Sequence, residues 1–177
     1  MTARDEDPGS APSAEQTPLP PAPQADDPAP LAETAAEIEE LDVDAPRVAI
    51  LMGSKSDLPA MERAEQELTE RGIRSETRVM SAHREPDVVS EYARNAHLRG
   101  IKVIIAGAGL SAALPGVVAA HTQLPVIGVP LTSRTSVAGG LDALLSISQM
   151  PPGVPVACVG VDNARNAAVL AARILSV

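Results

Sequence analysis

Five short apolar runs alternate with five helix-like segments along residues 47–177, and this alternation limits the fold more than any other feature. Most of the runs are continuous in Val, Ile, Leu or Ala, which is typical of strands covered on both faces. Strands that alternate with helices form right-handed βαβ units, which build a parallel sheet with helices on both sides. The sequence therefore predicts an α/β protein, a three-layer αβα sandwich with a parallel five-stranded sheet.

The boundaries of these elements follow from apolar periodicity and from the positions of Gly and Pro. The strands are predicted at 48–52, 75–80, 102–106, 124–129 and 154–159, and the helices at 58–71, 85–99, 111–121, 141–150 and 163–175. The inward faces are predicted to be Leu58, Met61, Glu65 and Leu68 in the first helix, Val89, Tyr92, Ala93, Ala96 and Leu98 in the second, and Ala167, Leu170, Ala171 and Ile174 in the last. The sandwich is then of the flavodoxin-like or Rossmann-like type.

Residues 1–46 have a different composition. They hold 9 of the 17 prolines, and residues 1–44 carry 12 acidic side chains against one basic one. Because few large apolar groups are present, we predict a disordered acidic Pro/Ala-rich tail, in which residues 31–41 could form a short helix. Residues 47–177 are long enough for a single domain with its own core.

The charge balance restricts the ligands. The formal net charge of −9 comes from the tail, because residues 45–177 carry 11 acidic and 13 basic side chains. A slight positive excess suits a small anionic ligand, whereas nucleic acid usually needs a dense basic patch. The chain has one Tyr and no Phe or Trp, which leaves almost no platform for stacking bases. We therefore expect no nucleic-acid partner.

The remaining composition points to the cytoplasm. The single cysteine, Cys158, permits no intramolecular disulfide, and its apolar surroundings favour a small core residue over a nucleophile. No apolar stretch approaches the length that spans a bilayer. The acidic start of the chain resembles neither a secretory signal nor a mitochondrial transit peptide. We expect a cytoplasmic protein without membrane association.

Three loops at the predicted carboxyl ends of strands have residues suited to binding a ligand, and open α/β sheets bind ligands at these ends. Gly53-Ser54-Lys55-Ser56-Asp57 precedes a helix, whose free amide groups favour a phosphate. Ser81-Ala82-His83-Arg84 combines an imidazole, which can move a proton, with a guanidinium, which can grip a phosphate. Gly107-Ala108-Gly109 lets a ligand approach the backbone closely.

Each loop also has a simpler interpretation. The first could be a plain helix N-cap, the second a capped turn with a surface histidine, and the third an ordinary tight turn. His97 is predicted on the solvent side of a helix and His121 at a helix end. No pair of His, Cys or carboxylate residues has the spacing of metal ligands, so we expect no metal ion.

Together the three loops resemble the signature loops of the 5-(carboxyamino)imidazole ribonucleotide mutase family of purine biosynthesis. Further similar segments are Leu114-Pro115-Gly116-Val117, Leu124-Pro125-Val126-Ile127-Gly128-Val129-Pro130, and Leu141-Asp142-Ala143-Leu144-Leu145-Ser146 followed by Gln149-Met150-Pro151. The resemblance extends over about residues 47–176. It implies a three-layer sandwich, a homo-octamer and an enzyme without a cofactor, which moves a carboxylate from the exocyclic amine of the imidazole ring to ring carbon 4.

The resemblance also implies roles for nine residues. His83 would be the general acid and base. Ser54, Ser81 and Arg84 would hold the ribose phosphate, and Asp57 would bind the ribose hydroxyls. Ser56 and the backbone from Gly109 to Leu114, which includes Ser111, would bound the imidazole ring and the migrating carboxylate.

The sequence departs from the common family pattern near the expected carboxylate pocket. Bacterial mutases usually read Gly-Gly-Ala-Ala-His-Leu-Pro-Gly where this chain reads Gly-Leu-Ser-Ala-Ala-Leu-Pro-Gly, so Ala113 replaces a histidine. The loop 131–140 is also longer than usual. A related branch carboxylates aminoimidazole ribonucleotide directly with carbon dioxide, and it typically has Lys where this chain has Arg84. The mutase is therefore favoured over two alternatives, the direct carboxylase and a non-catalytic nucleotide-binding domain on the same fold.

Overall fold

A computed structural model of the chain describes residues 45–177. The predicted acidic tail and the short helix predicted at 31–41 lie outside the described residues, apart from Ala45 and Pro46. These two residues are followed by Arg47 and then by the first strand.

Five parallel strands form one sheet in the order β2-β1-β3-β4-β5. The strands are β1 (Val48–Met52), β2 (Ser75–Val79), β3 (Val103–Gly109), β4 (Val126–Leu131) and β5 (Ala157–Cys158). This is the flavodoxin-like strand order. β2 lies on one side of β1 at the edge of the sheet, and β3, β4 and β5 follow in turn on the other side of β1. The predicted fold class is confirmed.

Five α-helices connect the strands within residues 45–177. They are α1 (Leu58–Glu70), α2 (Pro86–Asn95), α3 (Leu114–Ala120), α4 (Leu141–Ser148) and α5 (Ala164–Leu175). Short 3₁₀ turns at Lys55–Asp57, Ala96–Arg99 and Val137–Gly139 precede or extend them. Pro86 lies in the first turn of α2, where the amide that proline lacks would be unpaired in any case. The Asn163 side chain caps α5, because its oxygen accepts a hydrogen bond from a free amide of the first turn.

The core lies in two layers, one on each face of the sheet. On one face, alternate residues of the central strands, such as Ile50 and Ile105, pack against α1 and α5. On the other face their neighbours, such as Leu51 and Ile104, pack against α2, α3 and α4. Every residue of β1 is buried, and so is every residue of β4, which explains why these strands read as continuous apolar runs.

Two elements are shorter than predicted. The last strand was expected at 154–159, but the amide of Val154 donates to the Pro151 carbonyl (3.2 Å), and the chain pairs with β4 only at Ala157 and Cys158. The helix expected at 111–121 begins at Leu114. Its predicted first turn is replaced by a tighter one, in which the amide of Ala113 donates to the carbonyl of Ser111 (2.6 Å).

The predicted inward faces were wrong at two positions. Glu65 is exposed, and α1 instead buries Ala64 between Met61 and Leu68. Leu98 is 73% exposed, because it lies in the 3₁₀ turn that follows α2, where the 3.6-residue period no longer applies. The acid that α1 does bury is Glu67, which accepts hydrogen bonds from Arg71 and from Arg165 and thereby joins α1 to α5.

Close packing of α4 on the sheet depends on Gly128 in the middle of β4. A Cβ atom at this position would clash with Cγ2 of Ile147 and would lie 3.0 Å from Cγ1 of Val156. Ile147 is fully buried, and protein cores are packed closely enough that such a side chain can move aside only at a cost.

We therefore expect Gly128→Ala to lower the free energy of unfolding by about 1–3 kcal/mol through overpacking. Gly160→Ala is the matched control, because a Cβ there would have its nearest neighbour 3.8 Å away, and its effect should stay within about 0.5 kcal/mol. Urea denaturation of both variants measures the difference. Equal stabilities of the two variants would contradict this packing.

Candidate active site

A pocket of about 380 Å³ opens at the carboxyl ends of the strands, and four loops surround it. These loops follow β2, β1, β3 and β4, which are neighbours in the sheet in that order. The chain reverses direction across the sheet between β1 and β3, and the loops there diverge to opposite faces and leave a crevice. The strand order therefore determines where the pocket lies.

The loop after β1 is organised by two serines. Oγ of Ser54 accepts hydrogen bonds from the amide of Ser56 (3.2 Å) and from Oγ of Ser56 (2.9 Å), and so caps the 3₁₀ turn Lys55–Asp57. The helix α1 follows without a break. Both hydroxyls lie on the pocket wall.

Asp57 precedes α1, but its carboxylate makes no capping hydrogen bond to that helix. Oγ of Ser56 donates a long hydrogen bond (3.5 Å) to Oδ1 of Asp57. Burial raises the pKa of Asp57 above its usual value, and hydrogen bonds from the Ser54 backbone and the Ser56 side chain offset part of this rise. The carboxylate thus retains acceptor capacity on the pocket wall, in a position where it is partly desolvated.

The loop after β2 is held against β1. The amide of Met80 donates to the carbonyl of Met52 (2.9 Å), and the carbonyl of Ser81 accepts from the amide of Glu85 (2.8 Å). These bonds close a turn that carries His83 and Arg84 before α2 begins. Ser81 is buried and His83 is exposed, so the imidazole is accessible to a ligand in the pocket.

A hydrogen bond joins the first two loops. Nη2 of Arg84 donates to the carbonyl of Gly53 (2.9 Å). Because a guanidinium has five N–H groups in a planar fork, this bond orients the side chain and leaves other donors for an anion. The arrangement concentrates a fixed positive charge beside the hydroxyls of Ser54 and Ser81.

The loop after β3 has a strained backbone. Leu110 adopts a φ of 55°, a left-handed conformation that is unfavourable for a side chain without local hydrogen-bonding groups. The preceding residue, Gly109, leaves no room for a side chain, since a Cβ there would lie 2.9 Å from the carbonyl oxygen of Leu131. Ser111, Ala113 and Leu114 complete this side of the pocket.

All nine residues singled out in the sequence line this pocket, namely Ser54, Ser56, Asp57, Ser81, His83, Arg84, Gly109, Ser111 and Leu114. His97 and His121 lie elsewhere, around a separate depression that Arg94 shares. Cys158 is half-buried, and burial raises the pKa of its thiol. Roles for the nine residues stay predictions.

Two polar residues of the wall, Thr132 and Ser133, were not singled out. They follow β4 directly, and the register pairs Leu131 with Gly109 of β3, which brings them beside the β3 loop. The signal was present in the sequence, because two hydroxyl residues come immediately after a buried strand whose neighbours had already been assigned polar loops.

Two classes of site are not found among residues 45–177. In this part of the chain, no group of three His, Cys, Asp or Glu side chains is arranged to hold a metal ion. None of its helices is both long and apolar enough to cross a membrane.

The fold and pocket define a flavodoxin-like α/β protein whose topological switch point carries a pocket lined by a guanidinium, an imidazole, a carboxylate and several hydroxyl groups. The sequence model described as AIR carboxylase matches residues 47–177, and the chain belongs to that family. It is 60% identical over 132 residues to the N5-carboxyaminoimidazole ribonucleotide mutase of Thermotoga maritima, covering 75% of this chain and 76% of the relative. The mutase of Pyrococcus abyssi is 58% identical over 132 residues, with 75% of each chain covered.

Solved structures agree with the family assignment. The crystal structure of Treponema denticola PurE superimposes with a TM-score of 0.66 at 36% identity, over 74% of this chain and 80% of that chain. The similarity therefore includes the backbone as well as the sequence.

The raised pKa of Asp57 predicts a stability change when its charge is removed. A carboxyl whose pKa is higher in the folded than in the unfolded state destabilises the fold above both pKa values, and this penalty disappears as the pH falls below them. We expect Asp57→Asn to raise the melting temperature slightly at about pH 7, and the difference to shrink toward about pH 4. A series of thermal unfolding scans between these pH values checks the sign. A larger stabilisation at the acidic end would contradict it.

Proposed function

We propose that this protein is a 5-(carboxyamino)imidazole ribonucleotide mutase, which forms 5-amino-4-carboxyimidazole ribonucleotide in purine biosynthesis. The observation that carries the proposal is the convergence of Ser54, Asp57, Ser81, His83 and Arg84 on one pocket in a chain that belongs to the AIR carboxylase family. The names of the relatives at 58–60% identity support the same activity.

The substrate phosphate binds at the β1–β2 side of the pocket. Arg84 supplies charge-assisted hydrogen bonds, and the hydroxyls of Ser54 and Ser81 supply neutral ones. The bond from Arg84 to the Gly53 carbonyl holds the guanidinium before the substrate arrives, so little side-chain entropy is lost on binding.

The ribose and the imidazole ring extend from there toward β3. The carboxylate of Asp57 accepts hydrogen bonds from ribose hydroxyls, which explains why a partly desolvated acid is kept at this position. Ser56, Ser111 and the backbone from Gly109 to Leu114 bound the ring and the carboxylate that migrates. Ala113 provides no polar group, so the backbone and the neighbouring hydroxyls hold the carboxylate.

One imidazole serves both proton transfers. His83, in its protonated form, gives a proton to the exocyclic nitrogen as the N–C bond of the carbamate breaks and carbon dioxide is released into the pocket. Ring carbon 4 then attacks the carbon dioxide and forms the new C–C bond. His83 removes the proton from that carbon, which restores aromaticity and returns the imidazole to its starting state, so no cofactor or net proton is required.

We further propose that residues 47–177 form a single mutase domain, and that the protein is a cytoplasmic homo-octamer. Exposed apolar side chains at Val137, Leu141 and Leu145 suit contacts between subunits.

An isotope experiment separates the mutase from the direct carboxylase. Purified protein is given the carboxyamino substrate in the presence of ¹³C-labelled bicarbonate, and the product is analysed by mass spectrometry. Intramolecular transfer yields product largely free of label, because the carbon dioxide stays in the closed pocket. Heavily labelled product would support the carboxylase, and absence of product with substrate still bound would support a non-catalytic binding domain.

Two substitutions in the same loop should have different kinetic effects. We expect His83→Asn to lower kcat by about 10²–10⁴-fold with little change in KM, because the proton carrier is lost. Arg84→Ala should chiefly raise KM, because it removes a phosphate contact that is present in both ground and transition states. Steady-state kinetics of both variants test this division of roles. An unimpaired kcat in His83→Asn would remove the acid/base assignment.

A further inference from the structure

The turn between β5 and α5 contains a residue with unusual backbone geometry. Asp162 adopts a φ of 55°, in the left-handed region that Asp tolerates better than most residues, though at some cost. Three hydrogen bonds hold the residue in this conformation. Its own amide donates to the carbonyl of Pro130 (2.8 Å), and its carboxylate makes two further hydrogen bonds.

Both carboxylate bonds go to a single residue of the pocket wall. Oδ1 of Asp162 accepts from the amide of Thr132 (2.9 Å), and Oδ2 accepts from the hydroxyl of Thr132 (2.6 Å). This bidentate contact joins positions 30 residues apart in the sequence. The carboxylate therefore determines both the backbone position and the side-chain rotamer of Thr132.

Thr132 needs such a contact because of the way β4 ends. β4 pairs with β3 through Leu131, but the pairing of β5 with β4 covers Ile127 and Gly128 alone in the described chain. Beyond that point the amide of Val159 donates to Gly128 (3.1 Å), and that of Asp162 to Pro130. Asp162 thus continues the hydrogen bonding along the side of β4 that its short partner strand leaves uncovered.

The backbone next to this contact is also closely packed. Gly140, at the other end of the β4 loop, has a φ of 96°, and a Cβ there would lie 2.9 Å from Val161 and 3.0 Å from Thr132. The two ends of the loop therefore meet at the turn that carries Asp162, and its intervening residues 133–139 are mostly exposed. The position of the pocket wall depends on this junction.

We propose that Asp162 is a positioning residue, which holds Thr132 and Ser133 as the wall that closes the ring end of the pocket. The inference rests on the proposed function, in which the phosphate binds at the opposite side, near Arg84. A displaced wall would leave phosphate binding intact. It would lower turnover and let carbon dioxide escape before ring carbon 4 captures it.

Three variants separate this role from a general effect on stability. Asp162→Gly removes the carboxylate and also relieves the left-handed strain, so the backbone can keep its path. Asp162→Asn retains both contacts, because the amide oxygen can accept from the Thr132 amide while the amide nitrogen donates to the Thr132 hydroxyl. Asn163→Ala is the matched control, since it removes the adjacent cap of α5, whose oxygen accepts from the amide of Asn166 (3.2 Å), and leaves Thr132 untouched.

We expect Asp162→Gly to lower kcat about 10–100-fold with little change in KM, and to increase incorporation of labelled bicarbonate into product. Asp162→Asn should restore kcat to within about threefold of the wild type, because both hydrogen bonds are retained. Asn163→Ala should lower the melting temperature without altering kcat or labelling. Equal kinetic effects of Asp162→Gly and Asn163→Ala, or wild-type labelling in Asp162→Gly, would overturn the proposal.

Hydrogen exchange gives a readout that is independent of activity. The amide of Thr132 should exchange more rapidly in Asp162→Gly than in the wild type or in Asp162→Asn, as measured by mass spectrometry of peptides covering residues 130–136. Unchanged exchange would contradict the contact. If the wild type lacks mutase activity, the proposed function fails, whereas this measurement still tests whether Asp162 holds the wall.

Thr132→Val provides a second test if Asp162→Gly does not fold. It removes only the hydroxyl bond and should also increase incorporation of labelled bicarbonate into product.

Discussion

Burial of the central strands on both faces is the constraint on which the rest of this structure depends. β1 and β4 are covered on both sides, so helices must alternate with strands and the strands must run parallel. Parallel strands bring all their carboxyl ends to one edge of the sheet. The order β2-β1-β3-β4-β5 then opens a crevice beside β1 and β3, and no separate structural device is needed to form the pocket.

Hydrogen bonds between loops convert this crevice into a site with fixed walls. At one side, Arg84 donates to the Gly53 carbonyl and joins the loops after β2 and β1. At the other side, Asp162 binds the amide and hydroxyl of Thr132. Both contacts use a charged side chain to bind the backbone of a neighbouring loop. The site is therefore fixed at its two ends, and the strained Leu110 backbone lies between them.

The sequence predicted the fold class and much of the site because the signals were local. Apolar runs marked the strands, and the loops predicted after three of them contained seven of the nine residues that the structure gathers. Ser111 and Leu114 lay in a segment predicted as helix and were indicated by the family resemblance. Predictions failed where a local turn interrupted the expected helix or strand. Residues 154–156 read as strand but lie outside the ladder, residues 111–113 form tight turns before α3, and Leu98 belongs to a 3₁₀ turn. The buried Glu67 was also missed, since its partner Arg165 lies on another helix.

By itself, the sequence determined most of the segments that become strands and helices, and which loops carry an imidazole, a guanidinium and hydroxyl groups. These properties depend on residue type and on spacing within one segment, so they can be predicted without coordinates. Only the tertiary structure decided that Thr132 and Ser133 share the pocket, that Arg84 binds Gly53, and that Asp162 supports a wall formed 30 residues earlier. Such contacts depend on strand order and register, because these set which distant backbone groups come within hydrogen-bonding distance.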